Sequence, residues 1–147
     1  MVTLREFCEK DVETLQIHQY NDLSNADISQ MISHWNKRVY DGKYFQMFAV
    51  VNDNDVVGSV SLFQQSDDSV YYGVHIFESF RRQGFAYEGL LLAMEIARNM
   101  NYKFALANIR KSNTASIKLS EKLGFRYVDE HITPKGILVN SYIKELT

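Results

Sequence analysis

The sequence predicts one α+β domain in which a mixed sheet carries helices on both faces. The chain has 147 residues, close to one average domain, and 46% of them are hydrophobic, enough for a sizeable core. Its apolar pattern changes from helical spacing to strand-like runs and then alternates between the two. No repeat, low-complexity tract or Pro/Gly/Ser-rich linker interrupts it, so residues 1–147 are expected to form a single domain.

The first third predicts one strand and two helices. A short strand over Val2–Phe7 precedes a helix over Val12–Tyr20. A longer helix is predicted over Ala26–Tyr40, because apolar side chains recur there at spacings of three and four. The Asp41-Gly42 pair is expected to end that helix.

The middle of the chain predicts three strands, over Tyr44–Val51, Val56–Phe63 and Val70–Ile76. Short polar turns separate them, which is typical of hairpins. We therefore expect an antiparallel meander.

The last part alternates helices and strands. Helices are predicted over Phe85–Asn99 and Asn113–Leu123, and strands over Phe104–Ala107, Phe125–His131 and Ile137–Leu146. The helix over Phe85–Asn99 is apolar almost all round, so we expect it to be covered on more than one side. Gly124 is expected at the C′ position of the next helix. The predicted order is βααβββαβαββ.

Composition and charge exclude several classes of function. The net charge of −2 provides no electrostatic footprint for long nucleic acid. The longest apolar runs have five residues, Met47–Val51 and Leu90–Met94, too short for a bilayer. A single cysteine excludes an intramolecular disulfide, and the histidines have no metal-ligand spacing, so no metal is expected. The N-terminus lacks an apolar signal segment, and we expect a cytoplasmic protein with no membrane partner.

The most informative stretch is Ile76–Glu88, where a strand leads through a polar loop into an apolar helix. Gly84 and the small Ala86 stand where the first turn of the helix offers unpaired N–H groups, and Arg81 and Arg82 precede them. Convergent amides, little bulk and nearby cations suit a pyrophosphate. By themselves these residues are better explained by a tight turn with surface charge. The P-loop and the G-x-G-x-x-G fingerprint are both absent.

This loop, Arg81-Arg82-Gln83-Gly84-Phe85-Ala86, resembles the Arg/Gln-x-x-Gly-x-Gly/Ala motif of the GCN5-related N-acetyltransferases (GNAT). A second stretch, from Asn113-x-x-Ser116 to Gly124-Phe125, resembles the signature that follows the next strand in that family. The likeness covers roughly residues 70–130. The Gly-x-Ala-x-Glu variant with Asn-x-x-Ser is most similar to the RimJ/RimL-like branch.

The resemblance implies an N-acetyltransferase that moves an acetyl group from acetyl-CoA to a primary amine by direct attack in a ternary complex. The acceptor would be a peptide or protein N-terminus or a small-molecule amine. The backbone N–H groups of Val74 and Ile76 would polarise the thioester carbonyl. The other residues implied in acetyl-CoA binding are Arg81, Arg82, Gln83, Gly84, Phe85, Ala86, Tyr87 and Asn113. For Asn113, a role as helix N-cap is the alternative.

Two catalytic side chains are candidates. Many relatives have a tyrosine at the position of Ser120 that protonates the leaving thiolate, whereas the RimL-like branch implies Ser116 in that role. His75 is the best-placed titratable group for a general base, and strand alternation puts it on the face opposite Val74 and Ile76. His75 could instead be a core histidine, and the general base could instead be Glu78 or a water chain.

A second class of function is a non-catalytic CoA- or nucleotide-binding regulatory module, and a third is a structural interaction domain. The missing tyrosine and the uncertain base keep the second class open. Lys118 and Lys122 are interpreted as a solvated helix face. The sequence does not determine the oligomeric state, and a homodimer is one possibility.

Overall fold

A computed structural model describes all of residues 1–147 and has the predicted α+β class, with an eight-stranded mixed sheet and four helices. The elements in chain order are β1 (Val2–Glu6), α1 (Val12–His18), α2 (Asn25–Trp35), β2 (Val39–Tyr40), β3 (Lys43–Asn52), β4 (Asp55–Ser66), β5 (Ser69–Ile76), α3 (Phe85–Asn99), β6 (Phe104–Arg110), α4 (Thr114–Lys122), β7 (Arg126–Ile132) and β8 (Leu138–Glu145). Short 3-10 turns precede α1 and follow β5. The predicted order therefore holds with one strand added.

The spatial order of the strands is β1-β3-β4-β5-β6-β8-β7, and β2 pairs with β3 outside this path. Strands β3, β4 and β5 pair antiparallel, which confirms the meander. Only β5 and β6 run parallel, and their pairing covers just Ser69–Tyr71 against Phe104–Leu106. Beyond Tyr71 the two strands diverge, and this gap in the sheet positions the candidate site.

Helices cover both faces of the sheet, as expected. Helices α3 and α4 pack on one face over a core that includes Val50, Val60 and Leu90. Helices α1 and α2 pack on the other face over a smaller core that includes Phe7, Ile28 and Ala49. Because successive side chains of a strand alternate between faces, Ala49 and Val50 of β3 contribute to different cores.

The helix predicted over Ala26–Tyr40 is too long. Helix α2 ends at Trp35, Arg38 has a φ of 60°, and Val39–Tyr40 forms the short strand β2. The Asp41-Gly42 pair is a two-residue hairpin turn between β2 and β3, with φ values of 52° and 76°. Such turns require positive φ at both residues, which this dipeptide tolerates. Asp41-Gly42 therefore forms a hairpin turn and does not end helix α2.

The expectation that α3 is covered on more than one side is also wrong. Its buried residues lie on one side, against β1, β4 and β5. Leu91 and Leu92 face outward and are 46% and 37% exposed, and Met100 of the predicted stripe is 42% exposed. The buried face is thus narrower than the apolar composition of the helix suggests.

None of the four helices combines the length and the hydropathy that a bilayer crossing requires. No group of three or more His, Cys, Asp or Glu side chains is arranged to hold a metal ion.

Candidate active site

A cleft of about 670 Å³ opens where β5 and β6 diverge, between the end of β5, the start of α3 and one side of α4. Three cationic side chains, Arg81, Arg82 and Lys122, border it, and no carboxylate lines it. The cleft is therefore electropositive and suited to an anionic ligand.

The β5 wall of the cleft presents backbone N–H groups. Phe77, directly after β5, donates its N–H to the Val57 carbonyl at 2.9 Å, on the β4 side. In an antiparallel pair, the backbone N–H and C=O groups of successive residues point alternately toward and away from the partner strand. The N–H groups of Val74 and Ile76 therefore point away from β4, into the gap that β6 has left. Two donors thus face the cleft without a strand partner.

The loop between β5 and α3 has the backbone conformation of an anion site. Arg82 and Gly84 both have positive φ, 66° and 82°, and Gly84 is the N-cap of the 15-residue helix α3. An added Cβ at Gly84 would meet no atom within 4 Å, so the space beside it is open. Unpaired N–H groups and the positive end of the helix dipole converge there.

Arg81 is less free than the sequence suggested. Its Nε donates to the Ile76 carbonyl oxygen at 2.9 Å, which folds the side chain back over the end of β5. This hydrogen bond holds the loop against the strand and keeps the positive charge beside the cleft.

The α4 wall of the cleft consists of side chains. Asn113 is the N-cap of α4, and its Oδ1 accepts from the Ser116 N–H at 3.2 Å. The expected capping role is thus present, and the Asn113 side chain still lines the cleft. The Ser116 side chain also lines the cleft and makes no hydrogen bond within the protein.

Ser120, which the sequence placed on the same strip as Asn113 and Ser116, is separate from the cleft. It is fully buried, and its Oγ has no hydrogen-bond partner, although the Tyr72 hydroxyl is nearby. One turn of α4 therefore separates a serine that faces the cleft from a serine in the core.

His75 lines the cleft from the other face of β5. Its ring meets the Phe77 ring edge to face at 6.1 Å, while Val74 and Ile76 pack into the core under α3. Burial, and secondarily the positive charge of Arg81, lower the pKa of His75 below its ordinary value of 6.5. At pH 7 the imidazole is mainly neutral and has a lone pair that can accept a proton.

The structure brings all the predicted site residues to the cleft except Gln83, which is exposed beside it. Sequence reasoning missed Lys122, which was assigned to a solvated face. Its Nζ lies 4.2 Å above the Tyr87 ring at the cleft wall, whereas Lys118, which is also exposed, does not line the cleft. Ala115, Leu119 and Lys122 share one face of α4 at spacings of four and three, and this spacing could have identified the lysine.

Comparison with known proteins was made on sequence and on structure. Residues 2–126 match the family described as "Acetyltransferase (GNAT) domain". An SPbeta prophage-derived uncharacterized N-acetyltransferase, YokL, of Bacillus subtilis strain 168 is 30% identical over 133 residues, covering 84% of this chain and 75% of that protein.

Two solved structures share the fold at low identity. RimL, a ribosomal L7/L12 alpha-N-protein acetyltransferase in complex with coenzyme A, superposes with a TM-score of 0.84 at 18% identity, covering 98% of this chain and 93% of that one. A spermidine/spermine N-acetyltransferase, SpeG, from Vibrio cholerae superposes with a TM-score of 0.76 at 17% identity, covering 99% of this chain and 95% of that one.

Proposed function

Because the chain belongs to the GNAT acetyltransferase family and is an N-acetyltransferase, we propose that it transfers an acetyl group from acetyl-CoA to a primary amine by direct attack, with both substrates bound together. The observation that carries this proposal is the arrangement of the cleft. The helix N-terminus, the two unpaired N–H groups of β5 and a neutral histidine all border one opening. The acceptor is a peptide or protein N-terminus or a small amine.

The loop fits the family's co-substrate, acetyl-CoA, whose pyrophosphate carries two negative charges. The N–H groups from Arg82 to Tyr87 would hold the pyrophosphate, because the positive φ of Arg82 and Gly84 turns them toward open space that a side chain would otherwise fill. Asn113 on the opposite wall has its amide nitrogen unpaired and would donate to the same molecule. Acetyl-CoA supplies the acetyl group as a thioester.

The N–H groups of Val74 and Ile76 supply the electrostatic part of the catalysis in this proposal. Negative charge develops on the acetyl carbonyl oxygen as an amine attacks. Fixed donors aimed at that charge are often the largest single contribution to catalysis, because they need no reorganisation during the reaction.

His75 and Ser116 handle the protons in this proposal. An acceptor amine is mainly an ammonium at neutral pH and must lose a proton before it can attack. His75 accepts that proton, directly or through one water, because its lowered pKa leaves the imidazole unprotonated. Ser116 donates its hydroxyl proton to the departing sulfur from the α4 wall, so that CoA leaves as the thiol, and the serine regains a proton, through water, from the nitrogen that becomes the amide.

The acceptor class is supported by what the similar structures act on. RimL is named for the N-terminus of a ribosomal protein and SpeG for spermidine or spermine, and both kinds of acceptor include amines. We propose that residues 1–147 work as one catalytic unit in the cytoplasm, where a single cysteine needs no disulfide partner.

A turnover assay tests the function. The protein is mixed with acetyl-CoA and with peptides or small amines, and the release of CoA thiol is measured. We expect release that depends on both the protein and the acceptor. Acetyl-CoA at ~100 times its Kd should also stabilise the fold by about 2.7 kcal/mol in thermal unfolding. Stabilisation without CoA release on any acceptor would favour the non-catalytic binding module, and no stabilisation would contradict both.

A further inference from the structure

A second cavity lies on the face of the sheet that α1 and α2 cover, away from the loop before α3. It has a volume of about 670 Å³ and runs along one side of α2. Its apolar lining includes Met31, Trp35, Tyr40, Phe45 and Phe63. We refer to it as the aromatic groove. Its volume and apolar lining are typical of ligand sites, and no lysine or arginine lines it.

One face of β4 and β5 leads from Phe63 in the aromatic groove to His75, and we refer to this strip as the trough. Cross-strand pairs of β4 and β5 lie side by side on this face: Phe63 with Tyr71, Ser61 with Gly73 and Ser59 with His75. The middle of the trough has little bulk, because Gly73 has no side chain and Ser61 has a short one. A Cβ at Gly73 would lie 2.6 Å from the Ser61 Oγ, so the Ser61 hydroxyl would have to turn aside if residue 73 carried a side chain. Tyr71, Gly73 and His75 are all half-buried, so this strip is partly open to solvent, and Ser59 beside His75 is buried.

The length of the trough sets the size of the molecule that could occupy it. Ser59 and Phe63 are four residues apart on one strand, which corresponds to about 13 Å at ~3.3 Å per residue. An extended peptide advances by a similar distance per residue. A peptide with its N-terminal amine beside His75 would therefore place the side chain of its fourth or fifth residue in the aromatic groove.

We propose that the acceptor is a peptide N-terminus and that the aromatic groove binds a large apolar side chain at the fourth or fifth residue of that peptide. This inference rests on the proposed function, because it takes the amine to react beside His75. The trough supports a peptide over a small amine, because a small amine would leave both the trough and the groove unused. Aromatic and aliphatic side chains suit the lining, and removal of their apolar area from water supplies the selectivity.

Trp35 provides a direct readout, because it is the only tryptophan in the chain and it lines the aromatic groove. Heptapeptides of alanine and serine with a free N-terminus carry one phenylalanine, moved from position 2 to position 6. We expect Trp35 emission to change, and kcat/KM to rise about 10-fold, for the peptides with phenylalanine at position 4 or 5 compared with position 2.

A matched pair of variants tests the location. Tyr40 lines the groove and Tyr127 lies on β7, and they are 66% and 54% exposed, so either tyrosine can be replaced by alanine without opening the core. Tyr40→Ala should remove most of the advantage of phenylalanine at position 4 or 5 and leave the position-2 peptide unchanged. Tyr127→Ala should change neither.

The outcomes separate the two proposals. Rates and Trp35 emission that do not depend on the position of phenylalanine would overturn the groove assignment, as would a Tyr40→Ala variant that slows every peptide equally. If no peptide or small amine releases CoA, the proposed function fails. The Trp35 titration in the presence of CoA still decides whether the groove binds the apolar side chain.

Discussion

The two walls of the cleft differ in the groups that they present to a ligand. The wall formed by β5 and the following loop presents backbone N–H groups, with Gly84 as the key residue. The α4 wall presents side chains, those of Asn113, Ser116 and Lys122. The difference explains why one kind of site is easier to recognise from a sequence than the other. A backbone site requires positive φ and a fixed distance to a helix start, which leave a recognisable motif, whereas a side-chain site depends on which way each residue of a helix faces.

The largest effect is expected from damage to the backbone wall. Gly84→Glu adds bulk and a negative charge where the N–H groups converge, so acetyl-CoA binding should be lost while the protein still folds. Calorimetric titration with acetyl-CoA measures the affinity, and circular dichroism checks the fold.

Gly136→Glu is the matched control for that prediction. Gly136 has a φ of 80° and, like Gly84, open space beside it, but it lies in the turn before β8. Both variants carry the same backbone strain, about 1–2 kcal/mol for a residue forced into the left-handed region. Equal loss of affinity in the two variants, or normal affinity in folded Gly84→Glu, would contradict a pyrophosphate site at this loop.

His75 is the side chain that borders the cleft from β5. His75→Gln should lower kcat/KM by about 100-fold or more, within the usual range for a general base. The pKa of His75 is lowered by burial and by Arg81, so the wild-type rate should rise as pH increases through a value below 6.5 and then level off. That acid limb should disappear in the variant.

The pH profile is measured as kcat/KM at saturating acetyl-CoA. His131→Gln on the exposed strand β7 is the control and should keep the wild-type profile. An unchanged acid limb in His75→Gln would show that a group other than His75 accepts the proton.

The two serines of α4 compare the cleft with the core on a single helix. Ser116→Ala should lower kcat by about 100-fold, the low end for an acid that protonates a leaving group, with little change in acetyl-CoA affinity. Ser120→Ala should leave kcat unchanged, because Ser120 is buried away from the cleft. It should not destabilise the protein either, since the hydroxyl that it removes has no hydrogen-bond partner.

Steady-state kinetics and thermal unfolding of both serine variants check this pair. A loss of kcat in Ser120→Ala alone would reverse the assignment. If neither variant changes kcat, the thiolate leaves without a side-chain acid.

The smallest effect is expected from the lysines of α4. Lys122→Met should weaken acetyl-CoA binding by about threefold to fivefold, because it removes a cation held over the Tyr87 ring at the cleft wall. Lys118→Met removes the same charge from a position of the same helix that does not line the cleft and should have no effect. The difference should shrink at high salt, since the positive charge at Lys122 is partly screened there. Equal affinities of the two variants at low salt would restore the solvated-face interpretation of Lys122.

Much of the fold could be predicted because its signals are local. The bounds of α3 match the prediction, since Gly84 and the apolar spacing mark a helix start and a buried face within the same stretch. The family resemblance, carried by the two motifs, is confirmed by the match over residues 2–126. The error at the end of α2 came from a local signal that fits two structures. Asp41-Gly42 can end a helix or turn a hairpin, and only the pairing of Val39–Tyr40 with β3 decides between them.

The sequence by itself determined the element order apart from β2, the family and the loop with its N–H groups, because these depend on residues close together in the chain. Tertiary structure decided which side chains share a space. The divergence of β5 from β6 exposes the N–H groups of Val74 and Ile76, and the way α4 packs puts Ser116 in the cleft and Ser120 in the core. The aromatic groove likewise joins α2 to Phe45 and Phe63 from separate strands. No local pattern encodes such a meeting, because it is the packing of whole elements that brings these residues together.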